Sequence, residues 1–520
     1  MQSRNTALNL NTTIAMIPLI ALSVYYIISL PNFPIHDFSN SYFSSLFFSS
    51  DFISIFDPYF FNKKISDLGV SGVFASFNPN PPSVAILFFP LTYLNSIAAK
   101  IAFTSFSLCL FLFSIYRLSR YKEVPIEIVF IIIPIVFFIP IKTNILFGQT
   151  YLLVTSLLIE GFLASQKKRF IWASIFWSVA IFLKLFPLII FFYLFLKKDY
   201  KQALILFATC TIFFLMAISL QGIDIWKYYL IEVLPRTISG DLHSSYTTAT
   251  QSAIMVAKYA FQADPIFNTK PLIDNKILFF IFLGSFSSFI LAACSRVIKN
   301  NKSSLFSYCF ILLGAQLLSP QGSTYSNILL LLLLVESFSN KKRFLIYTII
   351  ILIISNLPIS AFQSLPLFFR FPRLSILLFL FCILLYHTGV WPNWKTMAIL
   401  FVIITVPKIV KSSVEVDPSL TYIDVEREPL IIDYKVSGNR LSYTYWQENG
   451  EVTKITNYKI DSQLKDLVIE NNQIILHGKR ITQSPDNKKH ASLIGANEII
   501  YLSDKGKGIG FYALRRIVLP

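Results

Sequence analysis

The chain has 520 residues, of which 54% are hydrophobic and only 14% charged, with a formal net charge of +17. So apolar a composition excludes an ordinary soluble globular protein, and the basic residues form no continuous patch of the kind nucleic acid requires. Apolar stretches long enough to cross a bilayer recur up to about residue 410, the pattern of an all-α polytopic membrane protein.

The first such stretch, 14–30, lacks a small-residue cleavage site and is followed by many others, so it reads as a retained helix and not a removed signal peptide. Directly after it, residues 36–82 form an interrupted, proline-rich segment beginning His36-Asp37-Phe38. Asp37 stands about one helical turn past the apolar stretch, where neither water nor lipid fully surrounds a carboxylate. A charge in that position costs free energy unless something uses it.

Basic residues set the orientation of the rest. From residue 411 onward 15 Lys+Arg accompany 14 Asp+Glu, so the totals of 45 and 28 leave 30 and 14 in the first 410 residues. The surplus gathers in short turns at 117–122, 167–169, 197–201, 296–302, 341–343 and at Lys395. Putting these turns on the cytoplasmic side with the N-terminus gives about thirteen spans. They lie near 14–30, 97–116, 125–141, 149–165, 170–183, 186–196, 202–220, 277–295, 304–318, 325–338, 344–360, 374–389 and 396–410. Segments 170–183 and 186–196 read as short helices meeting at Lys184 and Pro187, and 83–95 as a helix lying in the outer interface. Three long loops, 31–96, 221–276 and 361–373, then share the outer face with nine carboxylates. The five cysteines all lie in apolar segments at spacings that form neither a disulfide framework nor a zinc site.

Beyond residue 410 the pattern changes to short alternating runs broken by turn residues, a small β-rich soluble domain over 411–520. The SPDNKK turn within it is like that of a propeller blade.

Seven motifs then occur in order: HDF at 36–38, FDP at 56–58, FNPNPPSVAILFFPL at 77–91, FGQTYLLV at 147–154, LKLFP at 183–187, TQSA at 250–253 and LLSPQGSTYSN at 317–327. In this set and order residues 1–410 resemble the GT-C integral membrane glycosyltransferases, most closely glycosyltransferase family 87. The sequence departs from the family at Thr250, where Asn is usual, and over 321–325, where Trp and His are frequent. The resemblance implies a GT-C fold and inverting transfer of a hexose, mannose-like, from a polyprenyl-phosphate donor to a glycan or glycolipid acceptor. It also implies a site on the outer face of a bacterial inner membrane, with the C-terminal domain extracytoplasmic. No metal or other cofactor is expected, the donor being a substrate.

Such transfer needs a base for the acceptor hydroxyl and positive charge or hydrogen-bond donors for the leaving phosphate. Asp37 is the candidate base; its alternative role is to cap an interfacial helix. His36 either orients Asp37 or is an ordinary interfacial histidine, and Asp57 in FDP either contacts substrate or makes a turn. Lys184 interrupts the apolar stretch 170–196 and either meets phosphate or snorkels to the interface. Arg370 and Arg373 divide the same way between phosphate grip and interface anchor. Gln149, Gln251 and Ser252 either bond sugar hydroxyls or satisfy backbone, and His243 lies in the loop where acceptor contacts are expected. The competing reading is a transporter or flippase of a lipid-linked sugar, which calls for inverted repeats and mid-membrane charges. A third, a non-enzymatic scaffold, leaves the broken first loop and Lys184 without a purpose.

Overall fold

A computed structural model describes residues 10–519, apart from 34, 48–51, 241–245, 265–267, 302, 415–419, 423–429, 438–439, 448–449, 460–463, 485, 495–496 and 505–507. Helices fill the chain to Val414, and strands follow from Leu420. Each apolar stretch read as a span is helical, but their lengths differ widely. Among the described residues, Ile14–Asn32, Ser96–Tyr121, Tyr200–Gln221 and Lys276–Asn300 are long and apolar enough to cross a bilayer singly. Other helices, such as Tyr151–Gln166 and Ser304–Leu318, are shorter and nearly all buried, apolar on every side because other helices surround them. Several long apolar helices around such a core fit a membrane protein.

One expected span is not straight. The stretch 125–141 divides into Ile126–Val136 and Phe138–Phe147, bent by 72° at Phe137. Pro140 has no N–H to give the carbonyl of Val136, so a continuous helix would leave that oxygen unpaired. Asn356 fills the gap: its Nδ2 donates to the Val136 carbonyl at 2.9 Å and its Oδ1 accepts from Ile139 N at 3.0 Å. The segment 83–95 is also helical, as Ser83–Phe88 continued by a 3-10 turn over Phe89–Tyr93.

The helix ends sort into two groups. At one end the basic turns meet: Lys122 pairs with Glu336 at 2.6 Å, Lys197 Nζ donates to the Asn301 carbonyl at 3.1 Å, and Arg117 pairs with Glu160. At the other end the long loops meet. Gln221 Nε2 donates to the Pro82 carbonyl at 2.8 Å, Tyr229 Oη to that of Pro79 at 3.3 Å, and Gln251 Nε2 to that of Arg370 at 3.0 Å.

The C-terminal strands stack in three layers. A five-stranded antiparallel sheet, in the order Leu420–Tyr422, Ala513–Val518, Glu498–Ser503, Lys488–Ile494 and Leu464–Asp466, lies between two three-stranded ones. Alternation along Glu498–Ser503 shows why: Ile500 and Leu502 pack with Leu441, Tyr443 and Tyr445 of one neighbour, while Ile499 and Tyr501 pack with Ile474 of the other. Both faces of Glu498–Ser503 are covered, so its middle residues Ile499–Leu502 are apolar in succession. Asn471 and Asn472, at φ 49° and 62°, turn one hairpin tightly.

This β region sits on the long loops. Arg236 pairs with the fully buried Asp504 at 2.8 Å and also donates to its carbonyl at 3.0 Å. Asp504 accepts further from Asn487 N at 2.8 Å and Gly510 N at 3.0 Å; burial raises its carboxyl pKa, and Arg236 opposes that rise. Lys489 bridges to Asp57 at 3.1 Å, and Tyr59 Oη donates to Glu451 at 2.6 Å. Removing one partner of a buried pair strands the other charge. Arg236→Ala should therefore loosen the β region by about 3–5 kcal/mol, seen as faster hydrogen exchange in the strands Lys488–Ile494 and Glu498–Ser503.

Candidate active site

Five stretches of the helical part and one of the β region enclose a cavity of about 250 Å³. Asp37, Gly148, Gln149, Lys184 and Tyr325 line it, with the loop 74–84 closing one side.

Asp37 is placed by its neighbour. Phe38 is wholly buried, with its ring against those of Tyr42 and Phe103, and so anchors the start of the helix Phe38–Leu46. Asp37 occupies the cap position, but its side chain makes no capping bond. Instead Gln149 Nε2 donates to its Oδ2, the one side-chain bond to this carboxylate among the described residues. Gly148 makes that meeting possible. It ends Phe138–Phe147 at φ +66°, and a Cβ there would lie 2.6 Å from Phe38 Cβ. Only glycine allows both the left-handed turn and the close approach.

Lys184 follows the last residue of the helix Phe170–Leu183, where Pro187 prevents continuation. Its ammonium donates to Asn80 Oδ1 at 3.0 Å and lies over the Tyr151 ring, 5.8 Å from the centroid. A second cation stands behind the site: Lys100, buried in Ser96–Tyr121, donates to the Leu146 carbonyl at 2.5 Å. The Asp37 charge attracts both lysines. Lys100 carries the same signal as Lys184, a lone ammonium in an apolar run, which the reading of 97–116 as a span passes over.

Asparagines brace the loop wall. Asn40 Oδ1 accepts from Ser76 N at 2.8 Å, Asn62 exchanges bonds of 2.8 Å with both backbone groups of Ala75, and Asn78 Nδ2 donates to Phe56 O at 3.0 Å. Asn78 Oδ1 is buried with no partner among the described residues, an acceptor left for water or ligand in a residue that lines the cavity. The prolines of this segment drew attention in sequence, but its asparagines make the bonds.

Asp37, Gln149 and Lys184 thus come together, and other candidates do not. His36, at φ 50°, stacks on Phe147 and Phe33 outside the cavity. Asp57 caps the helix Pro58–Asp67 through Tyr59 N at 3.0 Å and holds Lys489. Gln251 donates to the Thr248 carbonyl at 2.7 Å and accepts from Arg373 N at 3.1 Å, while Ser252 caps Ala253–Phe261. Arg370 Nε donates to the Leu365 carbonyl at 2.7 Å, and Arg373 bonds the Leu357 carbonyl at 2.7 Å and Thr324. His243 lies outside the described residues. Gln251, Ser252, Arg370 and Arg373 wire the loop end together.

Alanine at 148 would meet both the positive φ and Phe38. Gly148→Ala is expected to cost about 2 kcal/mol or more in stability, read as a lower thermal midpoint in detergent, and to misplace Gln149 against Asp37.

Residues 78–320 match the family model described as Glycosyltransferase family 87. Neither a curated protein nor a solved structure matches the chain. The matched stretch contains Asn80, Lys100, Gln149 and Lys184; Asp37 and the β region lie beyond it. The match and the cavity lining share Asn78, Asn80, Gly148, Gln149 and Lys184, so the similarity of 78–320 to glycosyltransferase family 87 falls on part of the cavity and supports a glycosyltransferase of the GT-C type.

Proposed function

We propose that the protein is an inverting hexosyltransferase, moving a mannose-like sugar from a polyprenyl-phosphate donor to a hydroxyl of a glycan or glycolipid at the outer face of the membrane. One observation carries this reading: a half-buried carboxylate, Asp37, and the ammonium of Lys184 face one small polar cavity. Transfer needs opposite kinds of help at its two ends, a proton acceptor at the nucleophile and positive charge at the leaving group. In the proposed step Asp37 takes the acceptor's hydroxyl proton as that oxygen attacks the anomeric carbon. The bond from that carbon to the phosphate oxygen breaks on the opposite face, and polyprenyl phosphate departs towards Lys184 and Asn80. Gln149 holds one Asp37 oxygen and leaves the other for the acceptor.

The same reading has about thirteen helical segments crossing or dipping into the membrane, the N-terminus cytoplasmic and the β region extracytoplasmic. The gathering of basic turns at one helix end and of the long loops, where carboxylates balance the basic residues, at the other supports it.

Incubation with a panel of polyprenyl-phosphate sugars, with detection of released polyprenyl phosphate, tests the proposal. A flippase would release none. Asp37→Asn keeps the shape of the side chain and is expected to lower kcat about 10²- to 10⁴-fold while donor binding persists; retained turnover removes the assignment of the base. Lys184→Ala should weaken the donor about tenfold or more through KM, the scale of one charge-assisted hydrogen bond, and an unchanged donor KM would dissociate Lys184 from the phosphate.

A further inference from the structure

The cavity wall includes one residue from the far end of the chain, Phe511. It sits in the turn that joins Glu498–Ser503 to Ala513–Val518, its N–H donating to the Gly508 carbonyl at 3.1 Å. Its neighbour in the chain is firmly held. Gly510, at φ +76°, comes so near Pro58 that a Cβ would lie 2.5 Å from its Cδ, and its N–H donates to Asp504, which Arg236 grips. Across from Phe511 stands Phe74 of the first long loop, ring centroids 6.2 Å apart at 50°. Phe74 is 50% exposed. Two phenyl rings thus stand at the edge of a cavity otherwise lined largely by amides, hydroxyls and charges, and neither belongs to the buried core.

We propose that Phe511 and Phe74 form a platform for a sugar ring of the acceptor, so that the β region supplies part of the acceptor subsite. This rests on the transferase reading above. A pyranose has an apolar C–H face and a rim of hydroxyls; an aromatic face suits the first and side-chain amides such as those of Asn40 and Asn80 the second. Position supports the assignment to the acceptor over the donor. Lys184 follows an apolar helix, the kind of element along which a lipid-borne phosphate arrives, while Phe511 comes from the β region. The β region is therefore part of the catalytic unit and not an appended recruiter.

Saturation-transfer NMR on the full chain in deuterated detergent, with the methyl α-pyranosides of mannose, glucose and galactose as probes, tests this without requiring turnover. Saturation of the ring C–H protons is expected for at least one probe. It should persist in Phe511→Tyr, which keeps the ring, and fall in Phe511→Leu, with affinity about tenfold weaker, the upper range of one aromatic contact. Equal saturation in Phe511→Leu, or none in the parent protein, overturns the platform. Saturation that depends on Phe511 in a chain that releases no polyprenyl phosphate would keep the sugar subsite and reject the transfer reading, so the two fail separately.

Discussion

Among apolar helices a carboxylate and two ammonium groups persist only where each meets a partner, and much of the bundle is arranged to provide those partners. The sequence of contacts can be followed from the break at Phe137. Pro140 bends the chain, Asn356 bonds the two backbone groups that the bend frees, and the helix Phe138–Phe147 is thereby redirected. Its last turn presents carbonyl oxygens at the negative end of the helix, and Lys100 donates to one of them, that of Leu146. Gly148 then reverses the backbone against Phe38, which delivers Gln149 to Asp37. A cation that never lines the cavity thus steadies the turn that orients the acid. Polar groups that look separate in sequence form one chain of compensation.

The loop end depends on a second buried charge. Asp504 is fully enclosed, yet it receives hydrogen bonds from Arg236, Asn487 and Gly510. Those donors come from a loop of the helical part and from two turns of the β region. A group that must be satisfied from several directions locks those directions together. Lys489 adds a weaker tie, half-exposed, reaching Asp57 while its ammonium lies 4.7 Å from the centre of the Tyr512 ring. Tyr59, whose hydroxyl is pushed up to about 12 by burial and by Glu451, stays a neutral donor across the same contact.

Much of the fold was legible. Apolar runs gave the positions of the helices because burial or lipid on every side demands continuous apolar sequence. The strands showed because alternation and turn residues change abruptly near residue 410. The break at Phe137 was not legible. Pro134 and Pro140 mark strain, but a proline kink and a sharp bend differ only in what supplies the missing hydrogen bonds, and Asn356 is some 220 positions away in the chain. The number of full spans was equally hidden, since a short helix within a bundle and one that crosses in lipid share the same composition.

The cavity was legible in part, and one cause separates the candidates that line it from those that do not. Asp37, Gln149 and Lys184 converge because each is polar where the surrounding sequence is apolar, which is costly without a purpose. Gln251, Ser252, Asp57 and Arg373 carry the same signal, but in this structure they lie off the cavity and bond backbone: they cap helices and tie one loop to the next. Gly322 shows how closely those loops meet, with a Cβ there overlapping the Gln251 carbonyl. A chain that threads loops between apolar helices must satisfy many stranded carbonyls and amides, and it uses the same side chains that bind sugar and phosphate. Polarity in an apolar context therefore identifies the end of the bundle that holds the cavity. Separating a ligand contact from a backbone bond requires the third dimension, where an empty acceptor such as Asn78 Oδ1 can be told from a filled one.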